Sequence, residues 1–276
     1  MAADKVNLSQ AVRGNLLTLQ QTATTIGQTQ TRLSTGLKVN TALDDAAAFF
    51  TARALDNRAS DLNSLKSNID LAVSTIQAAI DGIDAITDLV QQAKGLASNA
   101  KATGDTNERS TLAVQFNELL SQIDSIANDS TFNGINLLQA SPDNLDVVFN
   151  EDNTSNLTIT GLDSTTASTG INLSVAGNNF GANANIDTAL TAISAALVTL
   201  RGNASTMGSS NTILKTRLDF TQNLVNTLEG GSGKLTLADL NEESANLLAL
   251  QTRQQLGLNS LSLAAQSERA ILSLFG

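Results

Sequence analysis

The chain has 276 residues and a formal net charge of −10, with 15% of residues charged, 3% aromatic and no His, Cys, Trp or Tyr. Without His and Cys it lacks the commonest general base, the thiol nucleophile, disulfides and most transition-metal ligands, so neither an enzyme nor a resident cofactor or metal is expected. An acidic chain with no basic stripe has no electrostatic footprint for nucleic acid and is repelled by anionic lipid, so neither is an expected partner.

The core has to be built from Leu, Ile, Val and Ala, which are helix-bundle ingredients. Residues between Lys5 and Arg13 mix polar and apolar types, so no cleavable secretory signal is expected. Apolar runs such as Ala46 to Phe50 fall far short of the roughly 20 residues needed to span a bilayer.

The first predicted element is an amphipathic helix carrying Leu16, Leu19, Ala23, Ile26, Gln30, Leu33 and Leu37, closed off by Gly36 to Asn40. Thr41 with Asp44 has the Ser/Thr-x-x-acid spacing of a helix start. A 3,4 alternation then runs through Leu62, Leu65, Ile69, Ala72, Ile76, Ala79, Ile83, Ile86, Val90, Ala93, Ala97 and Ala100. A shorter ladder follows at Leu112, Phe116, Leu119, Ile123 and Ile126.

Between Phe132 and Ala182 the period changes. Leu145 to Asn150 and Asn156 to Gly161 read as a hairpin around Glu151 to Ser155, with a short strand at Ile171 to Val175. The second long ladder is Ile186, Leu190, Ile193, Leu197, Leu200, Ala204, Met207, Asn211, Leu214, Leu218, Thr221, Val225 and Leu228. Each long ladder makes a helix of roughly 60 to 70 Å, which predicts a rod. Gly230, Gly231 and Gly233 read as a flexible hinge, and Thr236 with Asp239 as the start of a last helix. That helix carries Leu240, Leu247, Gln254 and Leu261 at intervals of seven, beside Leu250, Leu258, Ala265, Leu272 and Phe275.

The expected fold is therefore mainly α: a long antiparallel helical rod or coiled-coil bundle with a small central β-hairpin near residues 145–176. Its termini pair as a two-helix coiled coil, because neither end has another long partner. One greasy stripe is marginal alone, so both ends should be mobile in the monomer and order when neighbouring subunits cover them. Leu19, Ile26, Leu33, Leu247, Leu258, Leu261 and Leu272 are the expected inter-helix and intersubunit contacts.

Few constellations invite chemistry. Asp44 and Asp45 could act as paired carboxylates, but a place in the first turn of a helix explains them better. Gly230 to Lys234 resembles the end of a phosphate loop, yet lacks its first glycine and its Ser or Thr. Asn150, Glu151, Asp152 and Asn153 lack the spaced acids of a calcium loop and read as a solvated turn. Thr154 to Thr169 should be an exposed Ser/Thr-rich loop, bland or glycan-bearing.

The segment Arg32-Leu33-Ser-Thr-Gly36-Leu-Lys-Val-Asn40, followed by Thr41-Ala-Leu-Asp44-Asp45-Ala-Ala47, resembles the N-terminal motif of bacterial flagellins. Phe132-Asn133-Gly134-Ile-Asn-Leu-Leu138 resembles a second flagellin signature, and Ala238 to Gly276 a third. The resemblance implies that residues 1–44 and 237–276 form an inner terminal domain lining the filament channel, around which residues 45–236 form a rod domain. It implies a short, core-only subunit without the variable outer domains, secreted to the bacterial flagellum and polymerising with copies of itself for motility. The implied partners are the flagellar type III export apparatus, an export chaperone, the cap and the junction proteins. Leu43 stands where the family usually has lysine, and Phe49-Phe50 where smaller or aliphatic residues are commoner. The Arg, Leu and Glu by which Toll-like receptor 5 recognises many flagellins correspond here to Gln92, Leu96 and Gln115, which predicts weak recognition. The alternatives to a filament subunit are a hook–filament junction protein and a non-flagellar coiled-coil binding module.

Overall fold

The computed structural model describes residues 10–275, apart from the side chains of Ala11, Glu268 and residues 271–275. In chain order it has α1 (Gln10–Thr35), α2 (Ala46–Ala102), α3 (Thr106–Asp129), β1 (Thr131–Phe132), β2 (Ile135–Asn136), β3 (Asn144–Val148), β4 (Asn156–Thr160), α4 (Asn183–Thr236) and α5 (Leu240–Phe275). Two compact units emerge, one drawing on residues up to Asn57 and from Leu228 onward, the other on Arg58–Thr227. The ends of the expected 45–236 segment thus belong with the terminal helices. The last turns of α4 pack there on the first turns of α2, where a Cβ at Gly231 would stand 3.4 Å from Leu55.

In the Arg58–Thr227 unit the two long ladders are the core. Ile69, Ile76, Ile83, Ile86 and Val90 of α2 are fully buried, as are Ile186, Ile193, Leu200 and Leu214 of α4. Burying each such side chain contributes roughly 1.5–3 kcal/mol, and alanines between them let the helices approach closely. An ion pair between Lys101 and Asp187 and a 2.6 Å hydrogen bond from Lys66 Nζ to Gln222 fix α2 and α4 as antiparallel neighbours. On α3 the buried face is Ala113, Phe116, Leu120, Ile123 and Ala127, while Leu112, Leu119 and Ile126 of the expected ladder are half-buried beside it.

The β structure differs from expectation in two ways. The Phe132–Leu138 signature is itself a hairpin, because Asn133 (φ 50°) and Gly134 (φ 81°) adopt the paired left-handed conformations of a type I′ turn between β1 and β2. Conversely, Ile171 to Val175 is not a strand. Ile171 N–H donates to Thr165 O at 2.8 Å and Leu173 N–H to Thr166 O at 3.0 Å, so this segment folds back on its own loop. The expected hairpin is present as β3 against β4, with Leu145, Val147 and Ile159 buried on one face.

The loop after β4 is less exposed than its Ser and Thr content suggests. Ser164 and Thr165 are buried, and Ser164 Oγ accepts from Asn203 on α4 at 3.2 Å. Asp124 of α3 accepts from the Thr166 amide and hydroxyl, and Asn117 accepts from the Ala176 amide. Phe180 packs edge-on against Phe116 with 5.2 Å between ring centroids.

Asn136 links hairpin and helix. Its side-chain amide donates to the carbonyls of Ala127 and Asn128 at the end of α3, and its oxygen accepts from the amides of Leu138 and Gln139. These are backbone groups that a helix end and a tight turn leave without partners. Asn136→Ala is expected to lower the unfolding free energy by about 2–3 kcal/mol in a urea titration. An unchanged midpoint would mean that those groups find other partners.

Candidate assembly interface

The unit built from the chain ends is held by α1 and α5. Arg32 of α1 pairs with Glu243 of α5 at 2.9 Å, and a Cβ added at Gly257 would stand 2.7 Å from Leu19. These two pairings make the helices antiparallel, joining the chain's ends as the sequence implied. The α1 stripe facing inward is Val12, Leu19, Thr22, Ile26, Thr29 and Leu33; that of α5 is Glu243, Leu247, Leu250, Gln254, Gly257, Leu261 and Ala264.

Counting apolar residues alone missed Thr22 and Thr29, both buried, and promoted Leu16 and Ala23, both exposed. Thr22 Oγ1 donates to Thr18 O at 2.8 Å, so its hydroxyl is satisfied within its own helix and its methyl packs as a valine would. A 3,4 spacing that admits threonine recovers the stripe. Of the expected contact residues, Ile26 is buried, and Leu19, Leu33, Leu247 and Leu261 are half-buried on the inward stripes. Leu258 is 49% exposed, on another face of α5, and the Leu272 side chain lies outside the described residues. Leu17, Leu248, Leu256 and Leu263 are also exposed. This helix pair therefore carries large apolar side chains both between its helices and away from that seam.

The Arg32–Asp45 motif is a chain crossing. Gly36 takes φ 72°, a left-handed cap in which its N–H donates to Arg32 O at 2.8 Å. Its carbonyl accepts from Ala238 N–H at 2.9 Å, and Lys38 N–H donates to Thr236 O at 2.7 Å, so the two inter-helix links lie side by side. Asp44 then accepts from the amides of Asn40 and Thr41 and from the Thr41 hydroxyl. The Thr41 amide, followed by the Asn40 amide and the Thr41 hydroxyl, holds the Asp44 carboxyl below its ordinary value of 3.8.

The helix starts are placed slightly differently from expectation. Asp45, not Thr41, caps α2 by accepting from Ala48 N–H at 3.0 Å. Asp239, not Thr236, caps α5 by accepting from Asn241 N–H at 2.9 Å. Thr236 is instead the last residue of α4, and α4 continues regularly through Gly230, Gly231 and Gly233, so the expected hinge is helical. The break comes at Leu237, where the chain bridges to Leu37.

Other sites resolve as follows. Glu151 of the hairpin turn is held by Arg58 at 2.8 Å. Gln92, Leu96 and Gln115 line one open groove between α2 and α3. Leu43 is 98% exposed, and Phe50 stands edge-on to Phe49 with 5.5 Å between centroids.

The bacterial flagellin N-terminal helical region matches residues 6–143, and the bacterial flagellin C-terminal helical region matches residues 184–275. The chain belongs to the bacterial flagellin family. Similar relatives include flagellins FljM and FljN of Caulobacter vibrioides, 34% and 36% identical over the whole of each chain. A flagellin of Brucella melitensis is 30% identical over 94% of this chain and 95% of its own. A crystal structure of Bacillus cereus flagellin shares the fold, with a TM-score of 0.50 and 21% identity over 56% of this chain and 88% of that one. The chain is thus a structural subunit of the extracellular flagellar filament, and polymerisation with copies of itself is what its surfaces have to perform.

Two outcomes follow from the crossing. Gly36→Ala forces a side chain into a left-handed conformation and is expected to destabilise the α1–α5 unit by about 1–2 kcal/mol, seen as earlier loss of its helical signal on heating. The folded-state carboxyl of Asp44 titrates below its unfolded value, so its contribution is complete above pH 3.8 and is lost as pH falls through the lower folded value. Proteolytic nicking at residues 40–45 should increase over that acid window, and Asp44→Asn should remove the pH dependence.

Proposed function

We propose that α1 and α5 form the inner layer of the filament, with residues 1–44 and 237–276 lining its channel and residues 45–236 surrounding them. The observation carrying this reading is the double-sided apolar character of the α1–α5 pair: one stripe closes the helix pair while Leu17, Leu248, Leu256, Leu258 and Leu263 are left to neighbouring copies. Leu19, Ile26, Leu33, Leu247 and Leu261 then act by holding the pair together, and Leu258 by meeting other subunits. Burying the outer stripes of many copies at once offsets the entropy of ordering the ends.

The subunit acts without catalysis and is delivered by the flagellar export apparatus with the help of a chaperone, adding beneath a cap above the junction proteins. Family resemblance and the absence of cysteine support this route. Gln92, Leu96 and Gln115 provide no charge-assisted contact for Toll-like receptor 5, so purified monomer should activate a receptor reporter weakly; strong activation would remove that assignment.

Adding purified monomer to short filament seeds and following light scattering and electron micrographs tests the assembly reading. Leu33→Asp and Leu261→Asp should abolish elongation while the Arg58–Thr227 unit keeps its helical signal. Normal filaments from both variants would displace these residues from assembly.

A further inference from the structure

Within the Arg58–Thr227 unit, α2 and α4 present outer faces of opposite electrostatic character. Over residues 188–214 of α4 the sole charged residue is Arg201. Around it the exposed positions Val198, Gly202, Ser205, Ser209 and Ile213 recur at helical spacing, with Val198 65% and Ile213 45% exposed. A Cβ at Gly202 would meet nothing within 4 Å, so nothing inside the subunit demands glycine there, although glycine weakens a helix interior. Arg201 enters no ion pair among the described residues. On the outer face of α2, by contrast, Asp81, Asp84 and Asp88 are all exposed, and they too form no ion pair among the described residues.

The two faces also share a level. Lys101 lies against Asp187 and Lys66 against Gln222, and counting inward from these pairs sets Arg201 opposite Thr87. A small axial shift between neighbouring copies therefore brings Arg201 of one over a carboxylate of the next. Every copy carries a charge of −10, so copies repel unless they meet along an uncharged or oppositely charged strip.

We propose that the outer face of α4 docks on the acidic outer face of α2 in a second copy of this chain, with Arg201 seated among Asp81, Asp84 and Asp88. The contact joins two different surfaces of the same protein, the kind of pairing that propagates into an open helical polymer instead of closing as a dimer. Val198 and Ile213 supply the apolar contact, Gly202 and the serines let the helices come close, and the arginine sets the register.

The experiment is seeded elongation of the full chain, followed by scattering and electron microscopy, with wild-type chain run alongside to establish that the preparation assembles. Arg201→Glu should slow elongation by about tenfold or more, with an unchanged thermal midpoint because the exposed side chain makes no ion pair among the described residues. Adding Asp84→Arg or Asp88→Arg to Arg201→Glu should restore growth toward the wild-type rate in at least one combination. Wild-type elongation by Arg201→Glu alone, or no recovery in either double variant, would overturn the pairing.

Discussion

The apolar stripe that α2 and α4 bury against each other, interrupted on α4 by Asn211 and Thr221, is the constraint on which the Arg58–Thr227 unit rests. With almost no aromatic residues to fill space, the chain depends on Ile, Leu and Val interleaved with Ala at seam positions. Such a seam cannot tolerate a change of period, so the helices remain regular over many turns and, within this unit, irregular structure beyond the short α2–α3 link falls between α3 and α4. There, side chains do the work that an apolar core does elsewhere. Asn136, Asp124 and Asn117 each bind backbone groups of a neighbouring segment and anchor the hairpins and loop onto α3.

The terminal unit follows a different rule. Its helices share a narrow seam with threonines, a glutamine, a glycine and an ion pair in which Glu243 is buried and Arg32 half-exposed. Such a pair is a weak source of stability but a demanding one in geometry, since the buried Glu243 carboxylate would be left uncompensated without its arginine. It therefore selects one alignment of α1 on α5. The crossing at Gly36 and Ala238 applies the same selection to the backbone, and together they give Arg32 and Gly36 of this motif a physical role.

Much of this was legible in the sequence because helical period is a strong signal. The two long ladders predicted the buried residues of α2 and α4 closely, including Asn211 and Thr221. The reading failed where a side chain's hydrogen bond, and not its hydropathy, decides its place. Thr22 and Ser164 look like surface residues until their hydroxyls are satisfied, and Asn136 looks like an interruption in an apolar run until its four backbone partners are seen. Glycines misled in the opposite sense: Gly231 and Gly233 suggested flexibility, whereas the helix runs through them. The two compact units divide within α2 and α4, where no sequence break marks the place.

Asn211 carries one more consequence. Its side-chain oxygen is buried in the middle of α4 with no hydrogen-bond partner among the described residues, and Gly208 lies less than one turn away with Gly202 beyond it. A buried carbonyl without a donor gains nothing from being packed, and glycine stiffens a helix least. The regular course of α4 through this stretch therefore rests less on local helix preference than on the burial of Met207 within it and Leu214 just beyond.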